Sequence, residues 1–326
     1  MKTFLKRLLP AFALEQWRAW RRLVSKHAVD RENRRRIALR RASRTLGTGD
    51  LVQLLREAGV RSGGCVFVHS GIGRFNRVEG GAAAILEALA SSVGESGNVM
   101  FPAFPPWQRT VANATPFDAA TTRSAMGELA EAFRQSPGVV RSLHPTHSVC
   151  ARGPAADWLT RGHESSPYAF GRGSPFFKAC SMDALIVTIG VDLNSVTAFH
   201  IFEDLLGGVI EGLPVYVPEP VEFSLTDSAG RTAPYRGFVH NIEMARMRDC
   251  ERMRAALLAS GAMKVVRTDM SALLGISMRG LVRVCLDELA SGRTIYGPCR
   301  LSARERERVT QLSSELQRPE GFEAHA

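Results

Sequence analysis

Short apolar runs of strand length alternate with helix-like stretches through residues 49–206, and this alternation constrains the fold more than any other feature. Residues 65–69 (CVFVH), 98–104 (NVMFPAF) and 184–191 (ALIVTIGV) are apolar at consecutive positions, as in strands buried on both faces. Residues 49–59, 80–93 and 127–135 read as helices, residues 148–151 as a further strand, 154–160 as a short helix and 195–206 as a helix. Alternation of this kind implies an α/β fold, a layered mixed or parallel sheet flanked by helices. From residue 214 the pattern changes. Residues 215–218 and 221–226 read as strands, 227–231 as a polar turn, 241–260 and 305–317 as helices, and 271–289 as a segment that carries another helix. The expected division is an N-terminal basic helical arm (1–45), a core (46–212) and a mixed α+β C-terminal lobe (213–326).

Charge separates the arm from the rest. Residues 1–44 carry fourteen Lys/Arg against three acids, or +11, while the whole chain carries +10, so the body is close to neutral at −1. After Pro10, Ala13, Trp17, Trp20 and Val24 recur at helical spacing beside Arg18, Arg21 and Arg22. Such a helix suits an anionic membrane surface, or docking on its own body or a second subunit of a homo-oligomer. The body shows no basic–aromatic motif, which argues against nucleic acid. No apolar run approaches the ~20 residues of a membrane span. The start, MKTFLKRLLPAFALEQW, reads as retained rather than as a signal peptide. Six scattered cysteines form no CxxC pair, so no structural zinc is expected and a reducing, cytoplasmic setting fits, with the arm at the inner membrane face as its peripheral variant.

Four polar clusters follow strands or open helices. His69-Ser70-Gly71 leads on to Gly80-Gly81, a small-residue loop and helix start able to hold an anion, or simply a tight turn. His144-Pro145-Thr146-His147-Ser148 reads as a hydrogen-bonded loop; no carboxylate or thiol at ligand spacing supports a metal there. In Asn194–Asp204, Thr197, His200 and Glu203 or Asp204 share one helical face. An imidazole beside a carboxylate makes a credible general base, against the alternative of one satisfied core histidine. Asp118 through Gly127 forms a polar loop that capping alone would explain.

Together these segments resemble the aminoglycoside 3-N-acetyltransferase family. The resemblance covers residues 50–205, and its most specific stretch is FDAATTRSAMGELAEAFRQSPGVVRSLHPTHSVCARG. It implies acetyl-CoA or another acyl-CoA as donor, no metal, and direct transfer to an amine. By position it implies His200 as general base with Glu203 beside it. Ser70, Gly71, Gly80 and Gly81 then match the region that meets the coenzyme, and Thr146, His147, Ser148 and Thr197 its thioester end. The core becomes an acyl-CoA-binding catalytic unit and the lobe its acceptor side.

The acceptor is read from departures. A polycationic substrate calls for an acidic cleft, and the body is near neutral. Arg231, Tyr235, Arg236 and His240 stand in the C-terminal third, and Asp118, Arg231 and Arg236 are the candidate substrate contacts. The leading expectation is an acyl-CoA:amino-sugar N-acyltransferase on a nucleotide- or lipid-linked glycan precursor for surface polysaccharide. The alternatives are an aminoglycoside 3-N-acetyltransferase proper and a non-catalytic CoA-fold binding protein. A serine hydrolase is disfavoured because HSGIG around Ser70 lacks the GxSxG elbow.

Overall fold

The apolar runs 65–69 and 184–191 form adjacent strands at the heart of a seven-stranded sheet. A computed structural model describes residues 31–106, 116–206 and 213–316. Contacts divide the chain at Arg44 into Met1–Arg44 and Thr45–Ala326. In the first unit residues 31–42 are helical, whereas Pro10 and the Trp17/Trp20 stripe lie outside the described residues. No described helix is long and apolar enough to cross a membrane.

The strands of the two larger sheets, in chain order, are β1 (Cys65–Ser70), β2 (Asn98–Pro102), β3 (Phe117–Asp118), β4 (Val140–Arg141), β5 (Val149–Arg152), β6 (Leu185–Ile189), β7 (Val221–Thr226), β8 (Thr232–Gly237), β9 (Met263–Arg267) and β10 (Ala272–Ser277). The main sheet runs β4-β5-β2-β1-β6-β10-β9, and β3-β7-β8 form a separate three-stranded sheet. β1 is parallel to β2 on one side and to β6 on the other, while β5 and β10 pair antiparallel on the flanks. The sheet is therefore mixed, with a parallel centre.

Both faces are covered, which is why the central strands are apolar at most positions, with His69, Asn98 and Thr188 as buried polar exceptions. Phe67 and Ile186 face a core completed by the helices Pro175–Ser181 and Met278–Ala290. Val66, Val68 and Val187 face the opposite core with the helices Thr48–Ala58, Gly81–Val93 and Glu128–Arg134. Local signals set several ends: Ser174 accepts from Phe177 N at 3.1 Å with Pro175 behind it, and Gly59 closes Thr48–Ala58 at φ 110°.

Two expectations are corrected and one is narrowed. Residues 271–289 carry the expected helix, but it starts at Met278, because Ala272–Ser277 is strand β10. Residues 272–276 are apolar throughout, and periodicity alone does not separate a buried strand from a buried helix. Residues 215–218 form no strand; Tyr216 only bridges His240. The stretch 241–260 breaks into Ile242–Met247, a 3₁₀ turn Cys250–Met253 and Arg254–Ala259, with extended backbone (φ −62°, ψ 127°) at Arg248.

Candidate active site

A cavity of about 330 Å³ opens at the carboxyl ends of the parallel strands. Its walls come from Val68, His69 and Ser70 on β1, Pro102 and Phe104 at the end of β2, and Val191, Asn194, Ser195 and Thr197 after β6. Ligand sites in α/β sheets gather there because loops diverge from the central strands at this edge. Gly71 lets the exits of β1 and β6 close up: a Cβ there would lie 2.8 Å from Val191 Cγ1.

His200 also lines this cavity, and its position follows from a change of helix type. The predicted helix 195–206 is instead a 3₁₀ turn Leu193–Ser195, a second 3₁₀ turn Thr197–His200, and one α-turn, Ile201–Leu205. Asp192 caps the first by accepting from Asn194 N at 3.1 Å. Within a 3₁₀ turn residues i and i+3 eclipse, so Thr197 and His200 stand side by side. The α-turn then carries Glu203 back beneath the imidazole.

The His200 ring is buried, with Nδ1 2.9 Å from Glu203 Oε2. Tyr296 donates to the other oxygen, Glu203 Oε1, at 2.8 Å. On the opposite side Arg248 Nη1 lies 2.7 Å from His200 Nε2, and Arg248 also lines the cavity. A guanidinium only donates, so Nε2 accepts and Nδ1 carries the proton that Glu203 receives. Burial holds the imidazole below its ordinary pKa, and Glu203 pulls against that effect. Burial raises the Glu203 carboxyl, but His200 and His240 outweigh it and keep it ionised. The arrangement is a neutral imidazole with its lone pair at Nε2, backed by a carboxylate. It can accept a proton and be stabilised as imidazolium.

His240, Glu203 and His200 bring three ligand-type atoms within 4.8 Å of one another, with His240 Nε2 3.8 Å from Glu203 Oε2. The hydrogen bonds favour a proton over a metal at this place. A metal on His200 Nδ1 would force a proton onto Nε2, directly against the Arg248 donor.

Of the residues singled out from sequence, Ser70, His147, Thr197 and His200 line the cavity, and Glu203 lies behind His200. Asp204, the other carboxylate on that face, turns away to Phe170 N (2.7 Å) and the Tyr216 hydroxyl, and burial pushes it up to about 7. Thr146 bonds His147 Nδ1 at 2.8 Å, and Ser148 donates to Ala103 O at 2.7 Å while accepting from Arg141. Both hydroxyls thus serve the loop. Gly71, Gly80 and Gly81 do not line the cavity; Gly80 turns at φ 76° just before the helix Gly81–Val93. Asp118 folds onto its own loop, accepting from Ala120 N (2.7 Å) and Thr121 N (2.9 Å). Arg231 pairs with Asp227 in the exposed β7–β8 turn, and Arg236 is exposed on β8; neither lines the cavity.

Sequence reasoning assigned nothing to Arg248 or Tyr296, which lie far along the chain from His200, and named His69 only as the start of the small-residue cluster before Gly80-Gly81. Two buried polar atoms at the cavity wall, His69 Nε2 and Thr197 Oγ1, have no hydrogen-bond partner among the described residues. Burial drives the His69 imidazole down to about 3, so it is neutral. Buried polar atoms are rarely left unpaired, so this pair marks where a polar ligand group fits.

The family model for aminoglycoside 3-N-acetyltransferase matches residues 67–290. An aminoglycoside N(3)-acetyltransferase III of Acinetobacter baumannii is 35% identical over 170 residues, 47% of this chain and 58% of the relative. The match thus spans under two thirds of that relative's length. Among solved structures, AAC-IIIb in binary complex with CoASH superposes with a TM-score of 0.65 at 22% identity, covering 76% of this chain and 97% of the other. AAC-VIa bound to sisomicin gives 0.63 at 24%, covering 76% and 98%. At these identities the superpositions establish the shared fold.

Proposed function

The chain belongs to the aminoglycoside 3-N-acetyltransferase family, and on that premise we propose that it transfers an acyl group from acyl-CoA to an amine of an aminoglycoside. The observation that carries this reading is the His200–Glu203 pair, 2.9 Å apart, with His200 lining a cavity on the strand ends. An amine is protonated at neutral pH and must lose a proton to attack. His200 Nε2 takes that proton, and Glu203, held by Tyr296, stabilises the imidazolium through Nδ1–H. Acyl-CoA supplies the activated carbonyl when bound. The fit of a thioester is supported by the unpartnered Thr197 Oγ1 and His69 Nε2, which can donate to an oxygen gaining charge. Ser70 and His147, on the same wall, would hold the coenzyme end.

The expected glycan-precursor acceptor is corrected. The family match and the relatives are aminoglycoside acetyltransferases, and the model extends to residue 290, through the segment that suggested a departure. Arg231, offered as a phosphate contact, already has its carboxylate in Asp227. The division into core and acceptor-side lobe is kept as part of this proposal, supported by His240, Arg248 and Tyr296, which reach the base from residues beyond 212. The arm's charge of +11 supports contact with an anionic membrane face, tested by vesicle sedimentation with and without residues 1–44.

The test of the reaction is purified chain with acetyl-CoA and sisomicin, reading thiol release and locating the new amide by NMR. Intact acetyl-CoA with every aminoglycoside tried would reject the proposal.

A further inference from the structure

Arg248 stands where the predicted helix 241–260 is interrupted. The helix Ile242–Met247 stops, Arg248 is extended, and Asp249 caps the next turn by accepting from Glu251 N. Asn194 fastens the break from across the cavity: its Oδ1 accepts from Cys250 N at 2.8 Å and its carbonyl from Arg248 Nη2 at 3.0 Å. These contacts aim Nη1 at His200 Nε2, 2.7 Å away.

The partners are unusual for a half-buried cation. Among the described residues Arg248 has no carboxylate within ion-pair distance, and its donors go to a neutral ring nitrogen and a carbonyl. The ring nitrogen it covers is the atom that an incoming amine needs. Other charged or titratable groups around His200 are Glu203 on its own turn, His240 with its ring 4.6 Å away, His147 beyond, and Tyr296 on Glu203. Arg248 is the group that meets Nε2, at 2.7 Å.

We propose that Arg248 is a positioning residue that guards the base, fixing His200 as the Nδ1–H tautomer and covering Nε2 until the acceptor amine displaces it. This rests on His200 being the base. A guard of this kind lowers acceptor affinity by the fraction of time the site is covered.

The experiment compares wild type, R248Q and R248K, with ¹⁵N-histidine NMR titrations of the substrate-free proteins and kinetics with acetyl-CoA and sisomicin. In R248Q the His200 midpoint rises, because a neighbouring cation is gone, and the acceptor KM falls about three- to ten-fold. R248K, which keeps the charge, keeps the midpoint near that of wild type. A residue that merely supports the fold would lower the melting temperature in both variants and move no midpoint. Movement of midpoint or KM without the other overturns the proposal. Should R248Q not fold, R248M takes its place with the same two readouts, and an Nε2–H His200 in the wild-type spectrum overturns the guard. A wild-type chain that transfers no acyl group sinks the reaction instead, and the tautomer and midpoint still judge Arg248.

Discussion

Two groups of buried histidines lie near each other, and they differ in what remains unpaired. His144 and His163 stack with ring centroids 4.3 Å apart, and every ring nitrogen has a partner. His163 Nε2 donates to Ala169 O at 2.8 Å and its Nδ1 accepts from Ser142 Oγ at 2.9 Å. His144 Nδ1 accepts from the backbone of Thr146 and His147, and its Nε2 meets Tyr235 OH at 3.1 Å. Neither ring lines the cavity at the strand ends. His200 is equally buried, yet its second nitrogen sits at a cavity, covered by a displaceable side chain. Burial with complete pairing makes a structural knot. Burial with a lone pair that only a side-chain donor covers, and a carboxylate behind it, makes a candidate base.

The largest effect expected from this contrast is on turnover. His200→Ala should lower kcat about 10²–10⁴-fold, with binding of CoA measured by calorimetry little changed. Unaltered turnover would put His200 in the same class as His163. Next comes Glu203→Gln, whose amide no longer stabilises the imidazolium and can stabilise the wrong tautomer; kcat should fall about 10²-fold. A loss of stability with kcat retained would recast Glu203 as a core residue.

His163→Ala should do the reverse. It strands the Ser142 hydroxyl, removes the stack and leaves a cavity, costing about 2–4 kcal/mol in urea unfolding. Turnover of the folded fraction should stay near that of the parent, and a kcat defect without destabilisation would break the contrast. The gentlest effect is on acid stability. Burial holds His163 and His69 down at about 3 and His144 well below its ordinary value. Each is neutral in the fold and more basic in the unfolded chain, so stability is full above an unfolded pKa of about 6.5 and drains away as pH falls toward 3. Thermal melts should be level above neutrality and decline through the mildly acid range, less steeply in His163→Ala. A melting temperature that rises on acidification would contradict the neutral assignment.

Much of the scaffold is legible in local patterns. Consecutive β-branched and apolar residues mark β1 and β6, and Ser174-Pro175 and Gly59 mark helix ends. The apolar run of β10 is ambiguous by nature, and only pairing with β6 and β9 makes it a strand. Its Gly275 lies so close to the end of Thr48–Ala58 that a Cβ would meet Ala58 O at 1.8 Å, a long-range demand that no pattern announces.

The candidate site divides in the same way. A spacing of three residues is enough to put Glu203 beside His200, because short-range backbone geometry fixes where side chains three apart can meet. By sequence alone, then, this chain determined its α/β layering and its imidazole–carboxylate pair. Which nitrogen faces the cavity, and what covers it, depends on Arg248 and on Tyr296, 48 positions from His200 and 93 from Glu203 respectively. Those contacts exist only once distant segments pack. A hydrogen bond between residues so far apart is paid for by the whole fold, so only the tertiary structure could decide it.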